Sequence, residues 1–402
     1  MDLDGRGRRC LPTRGVMTET LAGESVIDSA RRWAGFAYQA LSDQAAAPPD
    51  TPLPAPLLSR LGVGPLLYRA LSSREDDRAR PFLVEFRHAT TANLLRMAHA
   101  RRLRDRLEAE GVRAVLLKGA ATLVRFGDDP GLRPMADVDL LVARADVPLA
   151  SRLLRAAGLT PGDRYPHTTR RKHSASFAGP AGPFDLDVDL HHGLVPWPLA
   201  TALPRLILSH HDELDGWRVP TPGDAICATA VHRAYDGFKG GCLDLVDLLR
   251  LSSLLDGDGW AGLVETSART GVVGAVYASL RQAEWWLTGS SSQTVDGLAT
   301  LGRCLGSARR AFLDRLVPGD LPVRRRPLLT GPLGRNLVVL PCATRGLRGL
   351  VAAARIAPFR LTDEWQRQWP AAGGRRRGIG QVLARLLYGA PPPAPPDARR
   401  SA

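Results

Sequence analysis

The segment Phe184-Asp185-Leu186-Asp187-Val188-Asp189-Leu190-His191 alternates strictly between apolar and polar residues. In a β-strand, side chains two apart share a face. Phe184, Leu186, Val188 and Leu190 then fall on one side, and Asp185, Asp187, Asp189 and His191 on the other. The apolar side needs a covering layer. The acidic side crowds carboxylates that repel one another unless a cation neutralises them. Asp137-Val138-Asp139-Leu140-Leu141-Val142 repeats the device, with Asp137 and Asp139 projecting from one face while Val138, Leu140 and Leu141 help bury the strand. If the two strands lie side by side, the sheet they build has an acidic face.

The surrounding residues read as a small mixed α/β unit. Val112–Leu117 is a short apolar run expected to be a buried strand, Gly119–Phe126 a short helix, Val147–Ala157 a helix closed by Gly158, and Ser174–Ala178 a further strand. Helices are expected upstream over 24–46, 55–72 and 81–110. Beyond Trp217 the chain is expected to turn helical, over 222–236, 242–255, 259–269 and 272–288. Thr221-Pro222-Gly223-Asp224 is a helix start: a Thr cap, Pro at the first position and an acid in the first turn. The fold class that follows is α+β, a small mixed-sheet domain flanked by helical segments. The expected organisation is a disordered leader over 1–16 ahead of a start at Met17, then an N-terminal helical segment over 17–110. The α/β domain spans 111–215 and a helical domain 216–320. A basic segment over 321–388 and a Pro-rich disordered tail over 389–402 complete the chain.

Charge sorts the chain further. The net charge is +14 over 402 residues, but residues 322–402 hold 15 Arg against 3 acids. The strongly basic character therefore belongs to the C-terminal fifth, and an anionic partner is expected there. Of 54 basic residues only Lys118, Lys172 and Lys239 are lysine, so each lysine sits where arginine is otherwise the rule. The five cysteines form no CxxC pair and no Cys/His group with zinc spacing. Isolated cysteines fit a reducing compartment. No apolar run approaches the ~18 residues of a membrane-spanning helix. The N-terminus has no apolar core of a secretory signal. A cytoplasmic location is the expectation.

Two acidic strands side by side suit Mg²⁺, a hard cation that keeps waters and takes phosphate oxygens as further ligands. With Asp137 and Asp139 on one strand, an acid of the second, Asp187 or Asp189, completes a three-carboxylate site for two metal ions. Such a site clamps the attacking and leaving oxygens of an in-line phosphoryl displacement. Upstream, Leu117-Lys118-Gly119-Ala120 joins a strand to a helix. Glycine permits close backbone approach and a helix N-terminus favours phosphate, so Lys118 and Gly119 are candidate triphosphate contacts. Arg133, in a loop with Pro130, Gly131 and Pro134, is a second one. His191 is read either as a general base or as a group that orients an acid.

The segment LLKGAATLVRFGDDPGLRPMADVDLLV, followed by VDLHHGL, resembles the uncharacterised bacterial nucleotidyltransferase family within the DNA polymerase β superfamily, usefully over about residues 85–255. That resemblance implies transfer of a nucleotidyl group from an NTP, ATP among them, to an acceptor, with release of pyrophosphate. It implies metal-binding roles for Asp137 and Asp139 and the third carboxylate role for Asp189, with two Mg²⁺ ions, or Mn²⁺, as cofactors. Lys118, Gly119, Arg133 and His191 match its remaining motif positions, and His232 and Asp247 resemble positions on its later helices. The acceptor is left open among a small molecule, a peptide or protein, and an RNA end. Two features depart from the wider superfamily pattern: Lys-Gly stands eighteen positions ahead of Asp137, and Asp185 and Asp187 are extra acids. The rival reading is a nucleic-acid- or membrane-docking protein that keeps the fold with little or no transferase activity. Its support is the basic segment, with Arg375-Arg376-Arg377 beside Ile379, Val382, Leu383, Leu386 and Leu387 as a basic amphipathic helix.

Overall fold

A computed structural model of the protein describes residues 20–21, 24–42, 46–127, 129–162, 173–181, 184–195, 202–238, 241–289 and 295–316. The expectations for the leader, Met17, the basic segment and the tail lie outside the described residues. A small ribbon, β1 (Thr20–Leu21) and β2 (Glu24–Ser25), leads into α1 (Val26–Leu41), α2 (Ala55–Arg60) and α3 (Gly64–Ser72). A 3-10 turn over Asp77–Phe82 precedes α4 (Leu83–Ala109). Then follow β3 (Val115–Leu116), α5 (Lys118–Phe126), β4 (Val138–Leu141), α6 (Val147–Ala156) and β5 (Thr160–Pro161). The long hairpin β6 (Ser174–Ala181) and β7 (Phe184–His191) is followed by α7 (Leu203–Ser209), β8 (His211–Leu214) and β9 (Trp217–Pro220). The chain continues as α8 (Pro222–Tyr235), α9 (Leu243–Ser252), α10 (Gly257–Thr270), α11 (Val273–Leu287), α12 (Val295–Leu305) and α13 (Ser307–Leu316).

Seven strands form one mixed sheet in the order β5-β6-β7-β4-β3-β9-β8. The two acidic strands are neighbours at its centre and run parallel, with Asp139 opposite Asp189 and Leu141 opposite His191. The alternation of β7 holds along the strand: Leu186, Val188 and Leu190 enter a core with Val138 and Leu140 of β4. Ala100, Leu103 and Leu107 of α4, with Ala150 and Leu154 of α6, cover that apolar face.

The opposite face meets the helices. Val115, Leu117 and Leu141 join a second core with α8, α9 and α11, and α1–α3 enter the same core through Trp33, Leu58 and Leu67. Helices from both ends of the described chain thus share one apolar interior, and the acidic end of the sheet lies between that interior and the strands. Thr221 caps α8 as expected, its hydroxyl accepting from the Asp224 amide at 3.3 Å.

Several local expectations need correction. The helix expected over 55–72 is two helices, broken at Leu61–Val63 where Gly62 has φ of +79°. Of the run Val112–Leu117 only Val115–Leu116 pairs in the sheet. The chain does not turn helical at Trp217, because β8 and β9 form a hairpin whose inner strand pairs with β3. Its turn residues, Asp215 and Gly216, have φ of +49° and +71°. Such backbone suits the Asp-Gly pair of a tight hairpin. Arg101 of α4 forms an ion pair with Asp215.

Candidate functional site

Parallel register brings Asp139 and Asp189 to the same level on the same face of adjacent strands. His191, two residues on from Asp189, shares that face. One ligand atom from each of Asp139, Asp189 and His191 lies within 4.8 Å of the others. Asp139 and His191 are buried and Asp189 is half-buried. The partners of each group decide what it can do.

The Gly193 carbonyl lies 3.1 Å from His191 Nδ1 and can only accept, so Nδ1 carries a proton. That leaves Nε2 facing Asp139 Oδ1 at 2.7 Å. It either donates a second N–H to the carboxylate or turns its lone pair to a cation. Ser176, paired with Asp189 across the β6–β7 hairpin, donates its hydroxyl to Asp189 Oδ1 at 2.6 Å and holds that carboxylate in place. Asp187 pairs with Ala178 and lies outside the Asp139–Asp189–His191 group, although it belongs to the same face. Asp185 is exposed.

Lys118 Nζ donates to Asp139 Oδ1 at 2.7 Å. Burial alone would lower the pKa of its amine, but Asp139, Asp137 and Asp189 outweigh burial and raise it. For Asp139, burial would raise the carboxyl, yet Lys118 and His191 hold it below the usual carboxylate range. Asp137 behaves oppositely: burial and the Asp139 charge push it up to about 6. Two carboxylates two residues apart are thus divided, one neutralised by partners and one short of positive charge. Asp139, Asp189 and His191 therefore fit a divalent cation, since the donor set is oxygen-rich, the imidazole tautomer is fixed, and local charge is in deficit.

Gly119 is where the two halves of the site touch. A Cβ there would sit 3.1 Å from Arg133 Nη1 and 3.2 Å from Met135 Cγ. Arg133, expected as a phosphate contact, is mostly buried. Its Nε donates to Asp247 Oδ2 at 2.8 Å, its Nη2 lies 3.3 Å from Asp244 Oδ1, and its Nη1 donates to the Pro134 carbonyl. The loop that carries the acids is braced on its other flank by α4. Asn93 Nδ2 donates to the carbonyls of Pro130 and Arg133, and Arg96 Nη1 donates to that of Met135 at 2.7 Å.

Three more groups border the site, and of these the family resemblance points only to His232. The His173 ring lies 5.7 Å from that of His191 and 6.2 Å from that of Tyr235. Burial, followed by the His191 and Lys118 charges, pulls His173 down to about 3, so it is neutral at physiological pH. His232, on α8, is also lowered by burial and by Lys118. Its Nε2 lies 3.3 Å from Asp236 Oδ2. Extending the β6–β7 pairing one step past Ser174↔His191 would have brought His173 to attention. Arg96 has no such signal, because it arrives from α4.

A sequence profile of a family described as an uncharacterised nucleotidyltransferase matches residues 50–288. A solved structure, an antigenic nucleotidyltransferase-like protein from Paracoccidioides brasiliensis, aligns at 18% identity with a TM-score of 0.29, covering 45% of this chain and 91% of its own. No curated protein matches.

Proposed function

The chain belongs to the uncharacterised nucleotidyltransferase family, and from that premise we propose that it is a metal-dependent enzyme with a site of the DNA polymerase β superfamily kind. It moves a nucleotidyl group from an NTP to an acceptor and releases pyrophosphate. The observation that carries this reading is the level pairing of Asp139 with Asp189 on adjacent parallel strands, with His191 completing a three-group ligand set.

Asp139, Asp189 and His191 would hold one divalent ion, and Asp137, beside Asp139, would help hold a second. Bound there, such ions would neutralise phosphate charge and lower the pKa of the acceptor hydroxyl. Oxygen ligands suit Mg²⁺, and an imidazole ligand moves the preference toward Mn²⁺. Ser176 keeps Asp189 aimed at its neighbour. Lys118, at the start of α5, supplies the ammonium for the triphosphate. Gly119 leaves room there for Arg133, whose charge is matched by Asp244 and Asp247 and which braces the acid loop. The catalytic contribution of the chain is mainly positioning and charge neutralisation.

The test is incubation of the purified protein with mixed NTPs and Mg²⁺ or Mn²⁺ and candidate small-molecule, protein and RNA acceptors. Mass spectrometry should find an acceptor heavier by one nucleotidyl group, with matching pyrophosphate release. Asp139→Asn should abolish both. Product formed equally by that variant would overturn the reading. No helix among the described residues is long and apolar enough to cross a membrane.

A further inference from the structure

One carboxylate oxygen at the centre of the site has two suitors. Lys118 Nζ donates to Asp139 Oδ1 at 2.7 Å, and His191 Nε2 lies 2.7 Å from the same atom. Lys118 reaches it with a backbone φ of +49°, in the left-handed region that disfavours any residue with a Cβ. Backbone strain of this kind persists where surrounding contacts over-determine it, and it accompanies two-state behaviour at functional sites. The residue type matters as well. Only three of the 54 basic residues are lysine, and this is one of them. A guanidinium would grip the carboxylate through a two-pronged fork, whereas an ammonium is a compact point charge on a flexible stem that can leave one oxygen for another.

We propose that Lys118 is the resident cation of the site: its ammonium occupies Asp139 in the nucleotide-free protein, keeps affinity for free metal low, and yields that oxygen when a divalent ion arrives with a nucleoside triphosphate. The proposal rests on the reading of Asp139, Asp189 and His191 as metal ligands and adds the order in which that site fills. An ammonium and a divalent ion against one carboxylate repel each other strongly at this depth. Metal alone takes Asp139 and Asp189 together and leaves the Lys118 ammonium only the field of Asp137. Metal that brings phosphates gives the ammonium a new set of oxygens. Metal and nucleotide then bind with positive coupling, and that coupling passes through Lys118.

The experiment measures Mn²⁺ binding to the full chain by the electron paramagnetic resonance signal of free Mn²⁺, with and without a non-hydrolysable ATP analogue. Lys118→Met removes the charge and keeps the length. Without nucleotide it should bind Mn²⁺ on the order of tenfold more tightly than the parent protein. The gain in Mn²⁺ affinity that the analogue produces should be smaller in the variant than in the parent. Equal or weaker Mn²⁺ binding by Lys118→Met would overturn the proposal. Lys118→Gln serves if the Met variant does not fold. A variant-free readout uses the scarcity of lysine, since NMR of protein labelled at lysine ¹⁵Nζ has only three side chains to resolve. The Lys118 signal should stay in its ion-paired position at Mg²⁺ concentrations that move it once the analogue is added. Movement with Mg²⁺ alone, at the same midpoint, would also overturn the proposal. Asp189→Asn separates the two failures. If it binds Mn²⁺ as the parent does, the metal reading itself fails. If it loses Mn²⁺ while Lys118→Met gains nothing, only the role of Lys118 fails.

Discussion

Two ion clusters flank the Lys118–Gly119 step, and they differ in balance. On the helical side, Arg133 and Arg233 face Asp244 and Asp247, two charges of each sign, with Arg233 fully buried and also donating to Gln282. On the sheet side, Lys118 shares Asp139 with the His191 imidazole, and Asp137 and Asp189 lie in the field of Lys118. Adding Arg96 together with its neighbour Asp187 leaves the deficit unchanged. Buried charges are tolerated when paired and costly when not. The helical cluster is balanced in charge and acts as a brace between α9 and the acid loop. With the His191 imidazole neutral, the sheet cluster is two positive charges short, a deficit that one divalent ion covers. Similar chemistry thus serves as scaffold on one side and as binding site on the other.

The largest effect should come from exchanging the roles by mutation. Asp139→Asn should cut turnover by about a thousandfold or more, the scale seen when a group stabilising transition-state charge is lost. Its cost in stability should stay small, because Asp137 and Asp189 remain to partner Lys118. Asp247→Asn should do the reverse. It leaves Arg133 buried with an Asp244 already shared with Arg233, and should cost about 3–5 kcal/mol in denaturant unfolding. Pyrophosphate release and urea melts on both proteins check the contrast. A stable Asp247→Asn with lost activity would mean that the brace belongs to the chemistry.

Asp137 gives a pH test with a definite sign. Its carboxyl is raised to about 6 in the folded protein from an ordinary 3.8. The folded state therefore holds its proton to higher pH than the unfolded chain does. Stability is lost as pH rises from about 4 to about 6, and the full penalty stands above that window. Asp137→Asn lacks the group, so in EDTA it should gain on the parent across this window, by on the order of 3 kcal/mol at pH 7. Adding Mg²⁺ together with a non-hydrolysable ATP analogue should close the gap by stabilising the parent. Melting curves at pH 4, 5, 6 and 7 measure it, and a gap of the same size at pH 4 and pH 7 would remove the charge deficit from the account.

What could be read in the sequence follows from the range of each interaction. The acidic face was legible because alternation with period two survives in any sheet that buries Leu186, Val188 and Leu190. The neighbouring of β4 and β7 was an inference from chemistry, and the register agrees with it. The β8–β9 hairpin was also legible in principle, since Asp215-Gly216 is a tight-turn signal, but the chain beyond Trp217 is expected to be helical and no strand is expected over 211–214. The ties between Arg133 and Asp247, 114 positions apart, and between Asn93 and the acid loop leave no local pattern. The basic residue of a motif was expected to face phosphate, and only tertiary packing reveals the carboxylates that hold it. The common core of α1–α3 with α8–α13 is hidden for the same reason, because amphipathic helices do not encode their partners.

The smallest predicted effect tests the contact between the two clusters. Gly119 has an ordinary helical position, so its lack of a side chain matters through space and not through backbone freedom. A methyl group there would meet Arg133 Nη1 at 3.1 Å, Arg133 Cζ at 3.2 Å and Met135 Cγ at 3.2 Å. Those distances are a few tenths of an ångström too close, and the neighbours cannot yield equally. Met135 is flexible, but Arg133 is fixed by Asp247, Asp244 and the Pro134 carbonyl. Gly119→Ala should therefore push on the brace and cost about 1 kcal/mol, the modest price of overpacking one methyl group. Combining it with Arg133→Lys, whose slimmer ammonium leaves the space open, should recover part of that loss. A double-mutant cycle in urea would then give a coupling of about 0.5 kcal/mol or more. Additive effects would mean that the strain is absorbed at Met135. In that case the sheet cluster and the helical brace are mechanically independent, and Lys118 could shift without disturbing Arg133.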